Sequence, residues 1–158
     1  MTSPSSSQVP VPAGPAVDAV QQALAAEHAA SWSYGLVSAF LGGDYASALG
    51  KGRAAHDDRR ELAAAMIRRS GGQPVPAQAS YQPPKPVTDA KSALALVVTM
   101  ESATAAAWRA VLERTEPGSG LRAPALAALT DSATRGTRWR IAAGVTPAAE
   151  ALPGTPTG

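Results

Sequence analysis

Apolar positions recur along this chain at alternating steps of three and four residues, the spacing that gathers them on one face of an α-helix. The first seam reads Val17, Val20, Leu24, Glu27, Ser31, Tyr34, Ser38, Leu41 and predicts a helix over 15–41. Pro15 suits its first turn and Gly42-Gly43 its end. The second seam reads Leu49, Arg53, His56, Arg60, Ala63, Ile67, widened by Leu62 and Met66, and predicts a helix over 44–70. Asp44 is placed to cap it and Gly71-Gly72 to stop it. Gly50 and Gly52 weaken its first half but allow a neighbouring helix to come close. The third face, Leu94, Val97, Val98, Glu101, Ala105, Trp108, Val111, Leu112, predicts a helix over 89–115, capped by Thr88 or Asp89 and broken at Pro117-Gly118. The fourth, Leu121, Pro124, Ala128, Asp131, Arg135, Arg138, Ala142, flanked by Leu126, Leu129, Trp139 and Ile141, predicts a helix over 120–143. Pro124 either opens this helix or kinks it. No useful stretch alternates with the period of a strand.

Loop lengths then constrain the topology. Helices one and two are joined by a few residues, as are three and four, so each pair is antiparallel. Between two and three lies GGQPVPAQASYQPPKPV, 17 residues. Extended, it reaches on the order of 55 Å, against roughly 38 Å for a helix of about 25 residues. Its prolines favour extended backbone. It can therefore run the length of a bundle and start helix three at the far end. The expected fold is all-α, a four-helix bundle of ferritin-like connectivity with a long crossover between helices 2 and 3.

Composition sharpens this picture. A chain of 158 residues suits one domain with a core. Alanine dominates, so helices can approach closely and wide cavities are not expected. There is no cysteine, which excludes disulfides, thiolate metal sites and cysteine nucleophiles. Residues 1–14 are rich in Ser and Pro, with no basic or apolar leader region, and read as a disordered lead. Residues 15–144 form the bundle, and 145–158, rich in Pro and Gly, read as a flexible tail. No continuous apolar run approaches a membrane span, so no membrane partner is expected. The net charge of +2 does not itself imply nucleic acid. Its distribution is uneven: the first 50 residues hold Asp18, Glu27 and Asp44 and no Lys or Arg, whereas 51–70 hold Lys51 and five arginines. Only Tyr45 lies near that basic stretch, which leaves no stacking platform, and the stretch reads as a solvated mixed-charge face.

The polar residues inside the seams carry the functional question. Glu27, Glu101 and Asp131 each stand mid-seam on a different helix, and His56 stands in the same kind of slot. Carboxylates enter a core when a metal, a proton or a cation answers them. Elsewhere, His28 points about 100 degrees away from Glu27 on the helix and reads as a boundary residue. Trp32, Trp108 and Trp139 read as packing anchors. GGDYASALGKG has the wrong spacing for a phosphate loop, and no set of serine, histidine and acid can be assigned.

The segments LAAEHAASWSYG (24–35), GRAAHDDRRELAAAMIRRSGGQPVPAQASY (52–81), PVTDAKSALALVVTMESATAAAWRAVLE (86–113) and LAALTDSATRGTRWR (126–140) carry a resemblance. Together they resemble the small actinobacterial ferritin-like domain family of unknown function (DUF4439-like). The resemblance covers nearly the whole helical core. It implies the ferritin-like bundle and a cytoplasmic setting, and it implies no activity. In the wider ferritin-like superfamily a di-iron site takes Glu from two helices and Glu-x-x-His from the other two. Glu27 and Glu101 match the lone glutamates, His56 the histidine of helix two, and Asp131 the acid of helix four. Arg53, however, stands where the glutamate before His56 belongs, and Thr134 where the second histidine belongs. A cation in place of a bridging carboxylate weakens any metal.

Arginines supply the other answer, since guanidinium neutralises a carboxylate and bonds both its oxygens. The preferred reading is an interhelical network of Glu27, Arg53, His56, Arg60, Glu101, Asp131 and Arg135 in a non-catalytic structural or interaction module with a degenerate metal site. The alternative is an iron- or manganese-binding oxidase or storage protein that uses Glu27, His56, Glu101 and Asp131. A homodimer is expected, with helix one as the interface through Trp32, Val37 and Phe40. An unknown protein partner is compatible with this reading.

Overall fold

Each periodic stretch forms one helix. In the computed structural model, which describes residues 8–155, α1 spans Pro15–Val37, α2 Ala46–Arg69, α3 Ala90–Glu113 and α4 Arg122–Ala142. The described residues contain no strand. Local chemistry sets the boundaries. Pro15 opens α1, where its missing N–H leaves no bond unmade. That helix stops a turn earlier than its seam, because the next residues tighten: Phe40 N and Leu41 N both donate to Val37 O, at 2.9 and 3.0 Å, and this folds Leu41 into the core. Asp44 does not cap α2; it lies in the short 3-10 turn Gly43–Tyr45, and Tyr45 holds the cap position. At α3 the cap is Asp89. Its carboxylate accepts from Ser92 N at 2.8 Å while Ser92 Oγ accepts from Asp89 N at 3.1 Å, a reciprocal capping box. Pro124 falls in the first turn of α4 and opens it rather than kinking it. Gly71 and Gly144, one residue past the C-caps of α2 and α4, have φ of 84 and 69, the left-handed conformation that ends helices.

Cross-helix contacts fix the directions. Glu27 of α1 meets Arg59 of α2, and Tyr34 meets Gly52, so α1 and α2 are antiparallel. Glu27 meets Trp108 and Tyr34 meets Glu101, which makes α1 and α3 antiparallel. Thr104 meets Ser132 and Leu112 meets Arg122, which does the same for α3 and α4. It follows that α2 and α3 run parallel, so the chain must travel the length of the bundle between them. The strap does this beside α1. Gln21 binds it twice, through Gln73 O at 2.6 Å and Val75 N at 2.9 Å. His28 Nε2 lies 3.1 Å from Val75 O, and the Trp32 and Tyr81 rings are 5.9 Å apart. Val87 then reaches the core at the far end.

The strap and the core together therefore take up the α1 side chains expected to dimerise. Trp32 lies against Tyr81, Val37 is fully buried, and Phe40 packs on the core. The termini also depart from expectation. Val9 packs against the core and Pro12 is buried, so residues 8–14 lie on the bundle, whereas 1–7 fall outside the described residues. The tail lies across α3 and α4 instead of extending freely. Arg140 holds the Glu150 carboxylate and Ser102 Oγ, Arg109 donates to Pro153 O at 3.4 Å, and Gly154 fits against the Ala105 carbonyl. Composition reports an unstructured bias but not the contacts that overcome it.

The core divides into two clusters. One gathers Val20, Leu24, Met66, Ile67, Trp108, Val111 and Leu121; the other Tyr34, Val37, Leu49, Leu94, Val97 and Trp139. Between them, at mid-bundle, lies a polar layer. By length and composition α3 could cross a membrane. It is instead the helix packed on both α1 and α4, with buried Glu101 at its centre.

Candidate functional site

The polar layer is built from all four helices. Glu27 (α1), His56 (α2) and Glu101 (α3) are each 0% exposed. His56 stands between the two glutamates: its Nδ1 is 2.7 Å from Glu27 Oε2 and its Nε2 is 3.1 Å from Glu101 Oε1. Arg59, one turn along α2, donates from Nε to Glu27 Oε1 at 2.9 Å and from Nη1 to Asp131 Oδ2 at 2.5 Å. On α4, Arg135 donates from Nη2 to Asp131 Oδ2 at 2.6 Å and reaches Glu101 at 3.4 Å. Each apolar cluster also sends aromatic donors into the layer. Trp108 Nε1 donates to Glu27 Oε1 at 2.6 Å, Tyr34 Oη to Glu101 Oε1 at 2.5 Å, and Trp139 Nε1 to Tyr34 Oη at 2.7 Å.

The protonation of His56 follows from this geometry. Both ring nitrogens face carboxylate oxygens, which only accept. Arg59 Nη2 also lies 2.9 Å from Nδ1, but Nδ1 cannot both donate to Glu27 and accept from Arg59. The shorter contact is to Glu27, so His56 is the doubly protonated imidazolium. The layer is then neutral: Glu27, Glu101 and Asp131 against Arg59, Arg135 and His56. Burial opposes charge on His56, but the hydrogen bonds to Glu101 and Glu27 and their charges prevail, and its pKa is raised. Burial likewise opposes ionisation of Glu101, but the His56 bond and charge, with Arg135 and Tyr34, hold its pKa below the ordinary range. Asp131 is also held low: burial is overcome by its hydrogen bond to Arg135, with both guanidinium charges assisting. Burial and Glu101 together raise the Tyr34 pKa and keep the phenol protonated.

The structure brings together Glu27, His56, Glu101, Asp131 and Arg135, but not Arg53 and Arg60. Arg53 is exposed beside Gly35. Arg60 bonds Glu61 and Asp57 on the outer face. The cation from α2 is Arg59. Leu49, His56 and Ala63 fix one line of the helix, and the second line lies either three residues on, at Gly52, Arg59 and Met66, or four, at Arg53, Arg60 and Ile67. The sequence reading takes the latter, yet the buried set contains Gly52, Arg59 and Met66 and, of the other line, only Ile67. Gly52 was the available signal. A Cβ there would lie 2.7 Å from Tyr34 Cζ, so its smallness lets the tyrosine enter. On α4 the buried line is Ala125, Ala128, Ser132, Gly136 and Trp139. Asp131 is therefore at the edge of the layer, its side chain 48% exposed, and Arg138 is outside.

Glu27, His56, Glu101 and Asp131 are the residues whose chemistry could ligate a metal. As arranged, both nitrogens of His56 are taken by the glutamates, Glu27 Oε1 accepts from Arg59 and Trp108, and Arg135 bridges Glu101 and Asp131. A metal would have to displace these donors and share the layer with two guanidinium charges, so the donor set as it stands does not fit a metal ion. Among the described residues no group of three or more His, Asp or Glu side chains is disposed around a common point for one.

Fold and site thus define an all-α bundle with one long crossover and a buried, neutral ion-pair layer. The chain matches the family model described as a domain of unknown function, DUF4439, over residues 19–157, and it belongs to that family. It is also similar to the crystal structure of a conserved hypothetical protein, rv2844, from Mycobacterium tuberculosis. The two are 37% identical with a TM-score of 0.78, over 83% of this chain and 99% of that one. No curated protein matches. The family match runs through the tail, in keeping with the contacts that lay residues 145–155 on the bundle.

Proposed function

We propose that this protein is a ferritin-like bundle whose central metal site has been replaced by fixed cations, and that it serves as a non-catalytic structural or interaction module. One observation carries the reading. His56 is gripped at both nitrogens by Glu27 and Glu101, while Arg59 takes the other Glu27 oxygen and Arg135 reaches both oxygens of Glu101. The parallel relation of α2 and α3 supports the ferritin-like part, since one long crossover is the connectivity of that class. A buried pair flanked by apolar clusters aligns four helices in one register, because any slip strands a charge.

Elemental analysis after loading with iron or manganese, followed by desalting, tests this. The expected result is far less than one metal per chain and an unchanged melting temperature with manganese or chelator. A stoichiometric metal that disappears in Glu27→Gln overturns the reading in favour of a metal-dependent oxidase or store.

A further inference from the structure

The helices pack as α2 on α1, α1 on α3 and α3 on α4, which leaves the edge between α2 and α4 without a packed face of its own. Arg59 bridges that edge deep inside, through Asp131. Nearer the end where α2 begins and α4 finishes, the edge opens into a cavity of about 370 Å³. Its inner wall carries the half-buried Tyr45 ring, with Trp139, only 3% exposed, packed against it at a centroid distance of 5.9 Å. Its rim is cationic. Lys51 projects from α2 and Arg138 from α4, both exposed, and neither makes an ion pair among the described residues. Arg135 also lines the cavity, but its charge is answered by Asp131 and Glu101. One acid, Asp44, stands at the rim and offsets part of the positive charge.

Two cations without an ion pair, on different helices but lining one cleft beside an aromatic ring, have a chemical meaning. Arg60, by comparison, is paired with Asp57 and Glu61, whereas Lys51 and Arg138 share their rim with Asp44 but make no ion pair among the described residues. An apolar wall with a small number of placed charges is the usual make-up of a small-molecule site. We propose that this cleft binds a small organic anion with a flat apolar body, such as an aromatic carboxylate or sulfonate. The ring would lie against Tyr45, which Trp139 backs, and the acid group between Lys51 and Arg138. The proposal goes beyond the module reading and does not depend on the ion-pair layer.

The test is an amide and indole NMR titration of the full chain with naphthalene-1-sulfonate. Naphthalene methanol serves as the neutral counterpart and inorganic phosphate as the bare anion. The expected result is saturable shifts confined to residues 44–51 and 135–142 and the Trp139 indole, with both controls binding more weakly. Lys51→Glu with Arg138→Glu should weaken the sulfonate by about tenfold, the scale of reversing two exposed charges. Both residues are exposed, so the variant keeps its fold, which circular dichroism verifies. Shifts centred instead on Leu126 and Ile141, undiminished binding by the variant, equal binding of either control, or no saturation overturns the proposal.

Discussion

At the scale of single residues, the layer sets large effects beside small ones. Glu27 is buried and accepts from Arg59, Trp108 and His56. Glu27→Ala leaves the Trp108 N–H without its acceptor and takes one carboxylate from both Arg59 and His56 in a buried layer. Breaking a buried pair in this way costs about 3–5 kcal/mol, a large share of an ordinary domain's margin. Asp58 is exposed on α2 and makes no ion pair among the described residues, so Asp58→Ala should stay within about 0.5 kcal/mol. Thermal melts of the two variants should differ by many degrees; equal melts would remove Glu27 from the buried network. His56 adds a pH signature. Its pKa is raised from 6.5 on folding, so its contribution is complete below 6.5 and fades as pH climbs through the raised value. Glu101 has its pKa lowered from 4.5, so its contribution is present above 4.5 and is lost as pH falls through the lowered value. The melting temperature should therefore form a plateau between these limits and decline on the alkaline side. His56→Gln should lose that alkaline decline. A wild-type curve flat from pH 6.5 to about 9 would mean that His56 is not the imidazolium assigned here.

At the scale of elements, α2 carries the clearest contrast. Gly52 faces Tyr34 so closely that any Cβ forces a shift, whereas Gly50, two residues earlier, has nothing within 4 Å. Gly52→Ala should destabilise by about 1–3 kcal/mol through overpacking. Gly50→Ala should stabilise by about 0.5–1 kcal/mol through helix propensity. Chemical denaturation of both reads the opposite signs directly, and a stabilising Gly52→Ala would contradict the close approach of α1 and α2. The same helix shows what the sequence could and could not reveal. Existence and order of the four helices, the crossover and the buried Glu27, His56 and Glu101 follow from periodicity and loop length, signals spread over many residues. The choice of Arg59 over Arg53 and Arg60 does not, because a line through Leu49, His56 and Ala63 is compatible with either neighbour. Gly52 on the Arg59 line is the one hint, and it takes the partner across the interface, Tyr34, to give that hint its meaning. The donors Tyr34, Trp108 and Trp139 were legible as packing residues, but their hydrogen bonds depend on the angle between helices, which no single helix's pattern contains. The tail was misread for a related reason: Arg140 and Glu150 meet only once α4 has ended and the chain has turned back.

At the scale of the whole molecule, the strap decides where a second chain can dock. It takes the flank of α1 that carries Gln21, His28 and Trp32, and α1 spends its other faces on α2 and α3. Dimerisation through α1 would require the strap to leave, together with the Gln21 clamp. Exposed apolar side chains lie elsewhere, at Val11, Val145 and Leu152 as well as on α4. Leu126 is 54% exposed and Ile141 65% exposed, near opposite ends of α4 and about 60 degrees apart around its axis. Of the apolar flank expected beside the α4 seam, Leu126 and Ile141 thus face outward, whereas Trp139 is buried and Leu129 packs against the core. A module that works by association should use this surface, and two-fold pairing of identical chains is the commonest form. Light scattering at roughly 100 µM, a concentration that reveals even weak pairing, should give a dimer. Leu126→Glu with Ile141→Glu should return it to a monomer without changing its helix content, because neither side chain is in the core. Phe40→Ala, by contrast, should lower stability and leave the dimer intact in the folded fraction, since Phe40 is partly buried against the core. A wild-type monomer at that concentration would leave the module without self-association. A dimer broken by Phe40→Ala but not by the α4 pair would return the interface to α1 and require the strap to move.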